Sequence, residues 1–274
     1  MVAKPCTQTM KFFLFSLSFL PLTILLFSCV LLPLPGTINT SLAATMQEIQ
    51  ERGYITIAVK DNIPPLAFRD KQGNLQGLEI DLAKRLARDL LGDSQGSRVK
   101  LQPVTNIERL PAVFNHRVDL AIARVTATPS RSRIVSLSIP YYYDGTAIVT
   151  KNPAIQKPSD LNNRRICVLN YSSTIPHVKY AIPQGELVGV NSYLEAKKLL
   201  DNGQVDACAA DSTVFQGWIE PHTQYSQYKI LLDRLSVEPL SVVMPKGLQY
   251  DELRTRVNDL IADYIAQGWL KSSY

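Results

Sequence analysis

Histidine is scarce in this chain, which has three among 274 residues, and cysteine nearly so, with four. There is no Cys-x-x-Cys, no His cluster and no His-Glu-x-x-His, so a metal centre is not expected and no cofactor is implied. The absence of a Gly-x-Ser-x-Gly turn, with His116, His177 and His222 in no triad-like context, argues against nucleophilic hydrolysis. Charge of one sign is also lacking. Lys plus Arg number 29 against 24 for Asp plus Glu, a diffuse net +5 that does not suggest a nucleic-acid binder.

The largest gap is local. From Phe12 to Gln47 there is no charged residue, and Phe12 to Leu34 is almost wholly apolar, preceded by Lys4 and Lys11. That is the form of a secretory signal. Ser41-Leu42-Ala43-Ala44 reads as a small-residue cleavage site, so residues 1–44 are taken as a signal peptide and the mature chain as starting at Thr45. Leu26-Phe27-Ser28-Cys29 leaves a lipid anchor at Cys29 open, and an uncleaved anchor is the third alternative. All three place the folded part outside the cytoplasmic membrane, with soluble periplasmic release preferred. Without Lys4 and Lys11 the mature part carries 27 basic and 24 acidic groups over 230 residues. It contains no apolar run near 18 residues, which excludes a multi-pass membrane protein.

Strand-like and helix-like segments then alternate. Ile55–Val59 is a β-branched run, and Leu78, Leu82, Ala83, Leu86, Ala87 and Leu90 follow at helical spacing before Gly92. A strand near Val99–Val104, a helix from Ile107 to Phe114 and a strand Leu120–Ala123 come next. After Tyr141-Tyr142-Tyr143 the pattern restarts, with strands at Ile166–Leu169, Leu187–Val190 and Ala207–Ala210 and a helix Tyr193–Leu200. Leu253, Val257, Leu260, Ile261, Tyr264 and Ile265 mark a final amphipathic helix. Such alternation predicts α/β units with parallel sheets covered on both faces. Cys167 and Cys208 lie in two of the strands, where a disulfide and two buried thiols are equally compatible with the sequence.

An internal echo links the two halves. Asn115 to Arg124 (NHRVDLAIAR) parallels Asn202 to Asp211 (NGQVDACAAD), each reading as helix end, tight turn and buried strand. Ligands of open α/β sheets bind beyond the carboxyl ends of strands. The residues there are Arg124 and Asp211, whose opposite charges suit a zwitterion.

Several segments resemble those of the periplasmic amino-acid-binding proteins of ABC importers, solute-binding protein family 3. They are Gly77-Leu78-Glu79-Ile80-Asp81-Leu82-Ala83, Val118-Asp119-Leu120-Ala121, Thr126-Ala127-Thr128-Pro129-Ser130-Arg131, Ser138-Ile139-Pro140-Tyr141, and Gly203 to Ala207 with Asp211. The resemblance spans about Arg52 to Trp269. It implies an α/β two-lobed periplasmic-binding-protein fold, each lobe a mainly parallel sheet flanked by helices. Two hinge crossings fall near Tyr141–Thr146 and Ser236–Leu240. Lobe 1 would be 45–142 plus 241–274, and lobe 2 the insert 143–240.

The resemblance also implies site roles. Arg131 would grip a ligand α-carboxylate, for which a guanidinium fork is suited. Thr126 would assist, and the hydroxyls of Ser173 and Thr174 would meet that carboxylate from the second lobe. Asp211 would receive the ligand ammonium, with a helix N-cap as its alternative role, and Asp61 matches a first-lobe acidic position. Where the family usually has an aromatic platform this chain has Ile63-Pro64-Pro65, so the platform is absent or comes from elsewhere, with Phe68 and Tyr171 as the candidates. Arg124 would meet an acidic or amide side chain, or pair with Asp61 or Asp211. His116 stands where glycine normally turns, which His tolerates better than most residues.

The expected partners are a free amino acid with a polar side chain and an ABC permease, the protein being a monomer. A cyclohexadienyl dehydratase-like enzyme and a sensor without a transport role are the competing classes. Only Asp61 stands out as a carboxylate for general acid chemistry, and no perturbed pair is evident, so a non-enzymatic role is preferred.

Overall fold

In the computed structural model the described residues are 44–92, 98–219, 227–232 and 235–270. The apolar segment 12–34, the cleavage site up to Ala43 and Cys29 lie outside them. In chain order the first lobe opens with α1 (Met46–Arg52) and β1 (Ile55–Val59). A small antiparallel sheet follows, formed by β2 (Asn62–Ile63), β3 (Ala67–Arg69) and β4 (Leu75–Gln76). Then come α2 (Leu78–Leu91), β5 (Val99–Pro103), α3 (Arg109–Phe114), β6 (Leu120–Ile122) and the long β7 (Ser136–Asp144). The second lobe holds β8 (Thr146–Thr150), β9 (Arg165–Leu169), α4 (Thr174–Ala181), β10 (Glu186–Val190), α5 (Tyr193–Asp201), β11 (Ala207–Asp211), α6 (Ser212–Ile219) and β12 (Lys229–Leu232). β13 (Glu238–Met244) returns to the first sheet, and α7 (Asp251–Ala266) follows.

The two large sheets share one plan. The first runs β5-β1-β6-β13-β7 and the second β10-β9-β11-β8-β12. In each, the first three strands are parallel and the last two join antiparallel, so the parallel core expected from the sequence carries an antiparallel flank. β6 and β11, the echoed strands, hold the same central place.

Alternation of side chains explains why both faces are apolar. Ile57, Val59, Leu120 and Ile122 enter one core while Ala58, Ala121 and Ala123 enter another. In the second lobe Cys167, Leu169, Cys208 and Ala210 face one way and Ile166, Val168, Ala207 and Ala209 the other. Cys167 and Cys208 are register partners on neighbouring strands, and they form a buried disulfide. That resolves the alternative left open above.

The echo has a structural cause. Asp119 accepts the backbone N–H of Thr56 at 2.7 Å, and Asp206 accepts that of Arg165 at 2.9 Å. Each aspartate thus binds the start of the adjacent parallel strand. The turns before them match too: His116 (φ 57°) and Gly203 (φ 67°) are both left-handed.

Two features depart from the sequence expectation. α3 starts at Arg109 rather than Ile107, because Glu108 accepts both the N–H (2.9 Å) and the hydroxyl (2.6 Å) of Thr105 and closes a turn first. α1 and α4 are short helices that apolar periodicity did not single out. Thr45 caps α1 in a reciprocal box with Glu48.

Candidate ligand-binding site

The site lies where β6 and β11 end, one from each lobe. Arg124 leaves β6 with φ 52°, a left-handed conformation that costs free energy for a non-glycine residue and must be held by its surroundings. Glu79, at the start of α2, accepts the Arg124 N–H at 2.8 Å and the Tyr141 hydroxyl at 2.5 Å. Arg109 donates to the carbonyls of Ala123 (2.9 Å) and Arg124. Burial pushes the Glu79 carboxyl up, while Tyr141, Arg124 and Arg109 pull it back down. Gly77 makes this possible: a Cβ there would lie 2.4 Å from the Leu66 carbonyl oxygen, so only glycine lets α2 begin so close.

The Arg124 guanidinium crosses to the second lobe. It pairs with Asp211 and, at 3.2 Å, with Asp144 at the end of β7. Asp144 also accepts from the Thr213 hydroxyl and from the backbone N–H groups of Gly145 (2.8 Å) and Thr213 (3.4 Å). The start of α6 is therefore served by Asp144, and Asp211 is turned toward Arg124 instead of capping its own helix. Arg124 Nε and Nη1 and Asp211 Oδ1 are buried with no hydrogen-bond partner among the described residues. Burial pushes the Asp211 carboxyl up, against the pull of Arg124 and with the help of Asp144 and Glu238, to about 7. Tyr193, buried at the start of α5, sits in the field of Arg124 and Asp211, and burial raises its phenol.

A second cluster centres on Glu238, which is fully buried. Its Oε2 accepts from Thr126 Oγ1 (2.8 Å) and Ser173 Oγ (2.5 Å), and its Oε1 from Thr146 Oγ1 (2.7 Å) and Ser236 Oγ (3.1 Å). His177 Nε2 stands 3.9 Å from Oε1. Burial alone would raise this carboxyl; the four hydroxyls outweigh it and hold it below the usual range. Arg131, partly buried, donates from Nη1 to the Thr126 carbonyl at 2.8 Å, and burial lowers it while Glu238 and Asp211 raise it.

Of the residues marked in the sequence, Arg124, Thr126, Arg131, Ser173 and Asp211 are thus gathered at the lobe junction. Four expectations are met by a different arrangement. Asp61 pairs with Arg69 at 3.1 Å on the partly exposed β2–β3 hairpin, so it is not the partner of Arg124. The Thr174 hydroxyl, fully buried, accepts from Ser172 Oγ at 2.8 Å instead of joining Ser173. Thr126 and Ser173 both donate their hydroxyl protons to Glu238, their oxygens lying 2.9 Å apart, which leaves no hydroxyl proton for a carboxylate in this arrangement. Tyr171 is no buried platform either, being 64% exposed, while Ile63 packs among second-lobe residues that include Val214 and Phe215. Sequence reading missed Asp144, Glu238 and Arg109. A carboxylate at the head of the largely apolar strand Glu238–Met244 was the one available signal. Among the described residues no group of three or more His, Cys, Asp or Glu is placed to hold a metal ion.

Known proteins share this architecture. The glutamine-binding protein of Geobacillus stearothermophilus is 27% identical over 201 residues, 72% of this chain and 75% of that one. A solute receptor for L-cysteine of Neisseria gonorrhoeae superposes with a TM-score of 0.76 at 27% identity, covering 83% of this chain and 91% of the other. An ancestral arginine-binding protein bound to glutamine matches with a TM-score of 0.71 at 30% identity, over 79% and 94%. Residues 55–274 match one family description from the opening strand onward, and the chain belongs to the bacterial extracellular solute-binding proteins, family 3.

Proposed function

We propose that the protein binds a free amino acid between its lobes outside the cytoplasmic membrane and delivers it to an ABC importer. The observation that carries this reading is the set of buried, unpartnered atoms at the lobe junction. Asp211 Oδ1 is an acceptor suited to an α-ammonium, and Arg124 Nε and Nη1 are donors suited to an acceptor-bearing side chain. Arg131, half-buried and bonded through one nitrogen, is suited to the α-carboxylate. A polar ligand follows, glutamine, glutamate or aspartate, whose side-chain acceptor would meet Arg124 Nε and Nη1. Glutamine fits best, because a further carboxylate would enter a cluster where Arg124 already faces Asp144 and Asp211. The glutamine named for the Geobacillus relative and the ancestral protein supports the same choice.

In this reading lobe 1 comprises 45–142 with 241–274, and lobe 2 comprises 143–240. The paired strands β7 and β13 carry the crossings, and hinge closure delivers the cleft to its ligand. Calorimetric titration of the purified protein with glutamine, glutamate and arginine tests the proposal. Binding of glutamine is expected, and tighter binding of arginine than of glutamine and glutamate overturns the ligand assignment. Mass-spectrometric reading of the native N-terminus tests the compartment, with Thr45 expected and a lipidated Cys29 counting against soluble release.

A further inference from the structure

Glu238 belongs to β13, a strand of the first sheet, yet its hydrogen bonds reach into both lobes. Thr126 comes from the loop after β6 in the first lobe, Thr146 from β8 in the second, and Ser173 from the turn before α4, also in the second. Ser236 lies two residues away on the chain that crosses between them. Thr146 and Ser236 bond one carboxylate oxygen, and they are neighbours at the hinge itself, 3.1 Å apart. Thr126 and Ser173 bond the other oxygen and meet each other across the cleft.

The division between the two oxygens is informative. The Oε1 partners sit at the crossing, where a rotation of one lobe on the other moves atoms least. The Oε2 partners include Ser173, which stands on the turn that rotation carries away from Thr126. A buried carboxylate stabilised by hydroxyls rather than by a salt bridge loses a large share of its stabilisation if one hydroxyl leaves. We infer that Glu238 is a positioning residue that holds the cleft closed, by binding the Ser173 hydroxyl of the second lobe beside the Thr126 hydroxyl of the first.

The role rests on the reading of the cleft as a binding site, but Glu238 itself touches no ligand there. It is fully buried, its oxygens are saturated by protein hydroxyls, and no Arg or Lys among the described residues lies within salt-bridge distance of it. The alternative, that Glu238 occupies the ligand carboxylate's own place, requires it to engage Arg131. Arg131 instead bonds the Thr126 carbonyl.

The test compares wild type with Glu238→Gln and Ser173→Ala by small-angle scattering and stopped-flow binding of glutamine. Closure is read first, from the radius of gyration with and without 1 mM glutamine; both variants are expected to be more open than wild type. Glutamine should then leave Glu238→Gln at least about tenfold faster, with association changed by less than about threefold, since opening governs release more than encounter does. If Glu238→Gln does not fold, Ser173→Ala, which removes only the bond across the cleft, carries the comparison alone. Equal radii of gyration in wild type and the folded variants overturn the inference whatever the ligand. Tighter glutamine binding by Glu238→Gln also overturns it, since it marks a competing internal carboxylate. A wild type that binds no glutamine refutes the ligand assignment, while the scattering comparison still decides the role of Glu238.

Discussion

Glu238 and Asp144 stand opposite each other as register partners of β13 and β7, the two strands that cross between the lobes. Both are buried, and their side chains serve different clusters. Asp144 reaches Arg124 and the start of α6, and Glu238 gathers hydroxyls from both lobes. The two crossing strands thus carry both clusters, and perturbations of either have consequences that can be separated.

Arg131→Ala is expected to weaken glutamine binding by at least about tenfold to a hundredfold, because hydrogen bonds to charged groups contribute about 1.5–3 kcal/mol each. The thermal midpoint should change little, as the Arg131 side chain makes a single hydrogen bond, to the Thr126 carbonyl. Calorimetry on the folded variant decides; unchanged affinity removes Arg131 from the site.

Arg124→Ser should behave differently. It strips the counter-charge from Asp144 and Asp211, and leaving buried charges uncompensated costs about 3–5 kcal/mol. Denaturant melts at pH 8 should show the loss. At pH 5.5 the loss should shrink, because Asp211 can then take up a proton. The same variant should discriminate less against arginine and lysine in competition calorimetry.

The pH dependence of binding follows from Asp211. Its carboxyl, ordinarily near 3.8, is pushed up to about 7 chiefly by burial. A raised carboxyl pKa means that the folded protein holds this proton between about pH 4 and 7, so its contribution to stability is greatest below that window and declines as pH rises through 7. Ligand binding runs the other way. An ammonium needs the ionised carboxylate, so glutamine affinity should fall as pH drops below 7, approaching about tenfold per unit. Asp211→Asn should bind weakly and lose that slope.

Much of this was legible in the sequence, for reasons of pattern. Gly92 caps α2 after Leu91 and the strands β9, β10 and β11 lie within a residue of their expected limits, because apolar periodicity and short buried apolar runs are strong local signals. The echo marked Arg124 and Asp211, and the family resemblance marked Asp211 again, since both lie at the ends of equivalent central strands. Glu238, Asp144 and Arg109 were not legible. Their roles depend on contacts between residues 14 to 112 apart in sequence, which no local spacing encodes. Thr174 was misplaced for a related reason: three successive hydroxyls look alike in sequence, and only the entry into α4 decides which one faces the cleft.

The disulfide offers a separate check. Cys167 and Cys208 are 41 residues apart, and closing a loop of that size is worth about 2–4 kcal/mol to the folded state. Cys167→Ala with Cys208→Ala should lower the denaturation free energy by about that amount, read from urea melts. Because β11 carries Asp211 at its end, glutamine affinity in the double variant also reports how firmly that strand must be fixed.

One close approach gives a handle on the lobes that touches none of the charged groups. Ile63 packs into the second-lobe core, and the Pro64 carbonyl beside it faces Gly217 of α6 so closely that a Cβ would lie 2.6 Å from its oxygen. A methyl group at 217 is then a wedge of fixed thickness in the jaws. Gly217→Ala should prop them ajar with every side chain of both clusters still in place, yielding a protein that meets its ligand but does not shut on it. A permease that responds only to the shut form would ignore such a protein, whereas one that responds to ligand alone would not.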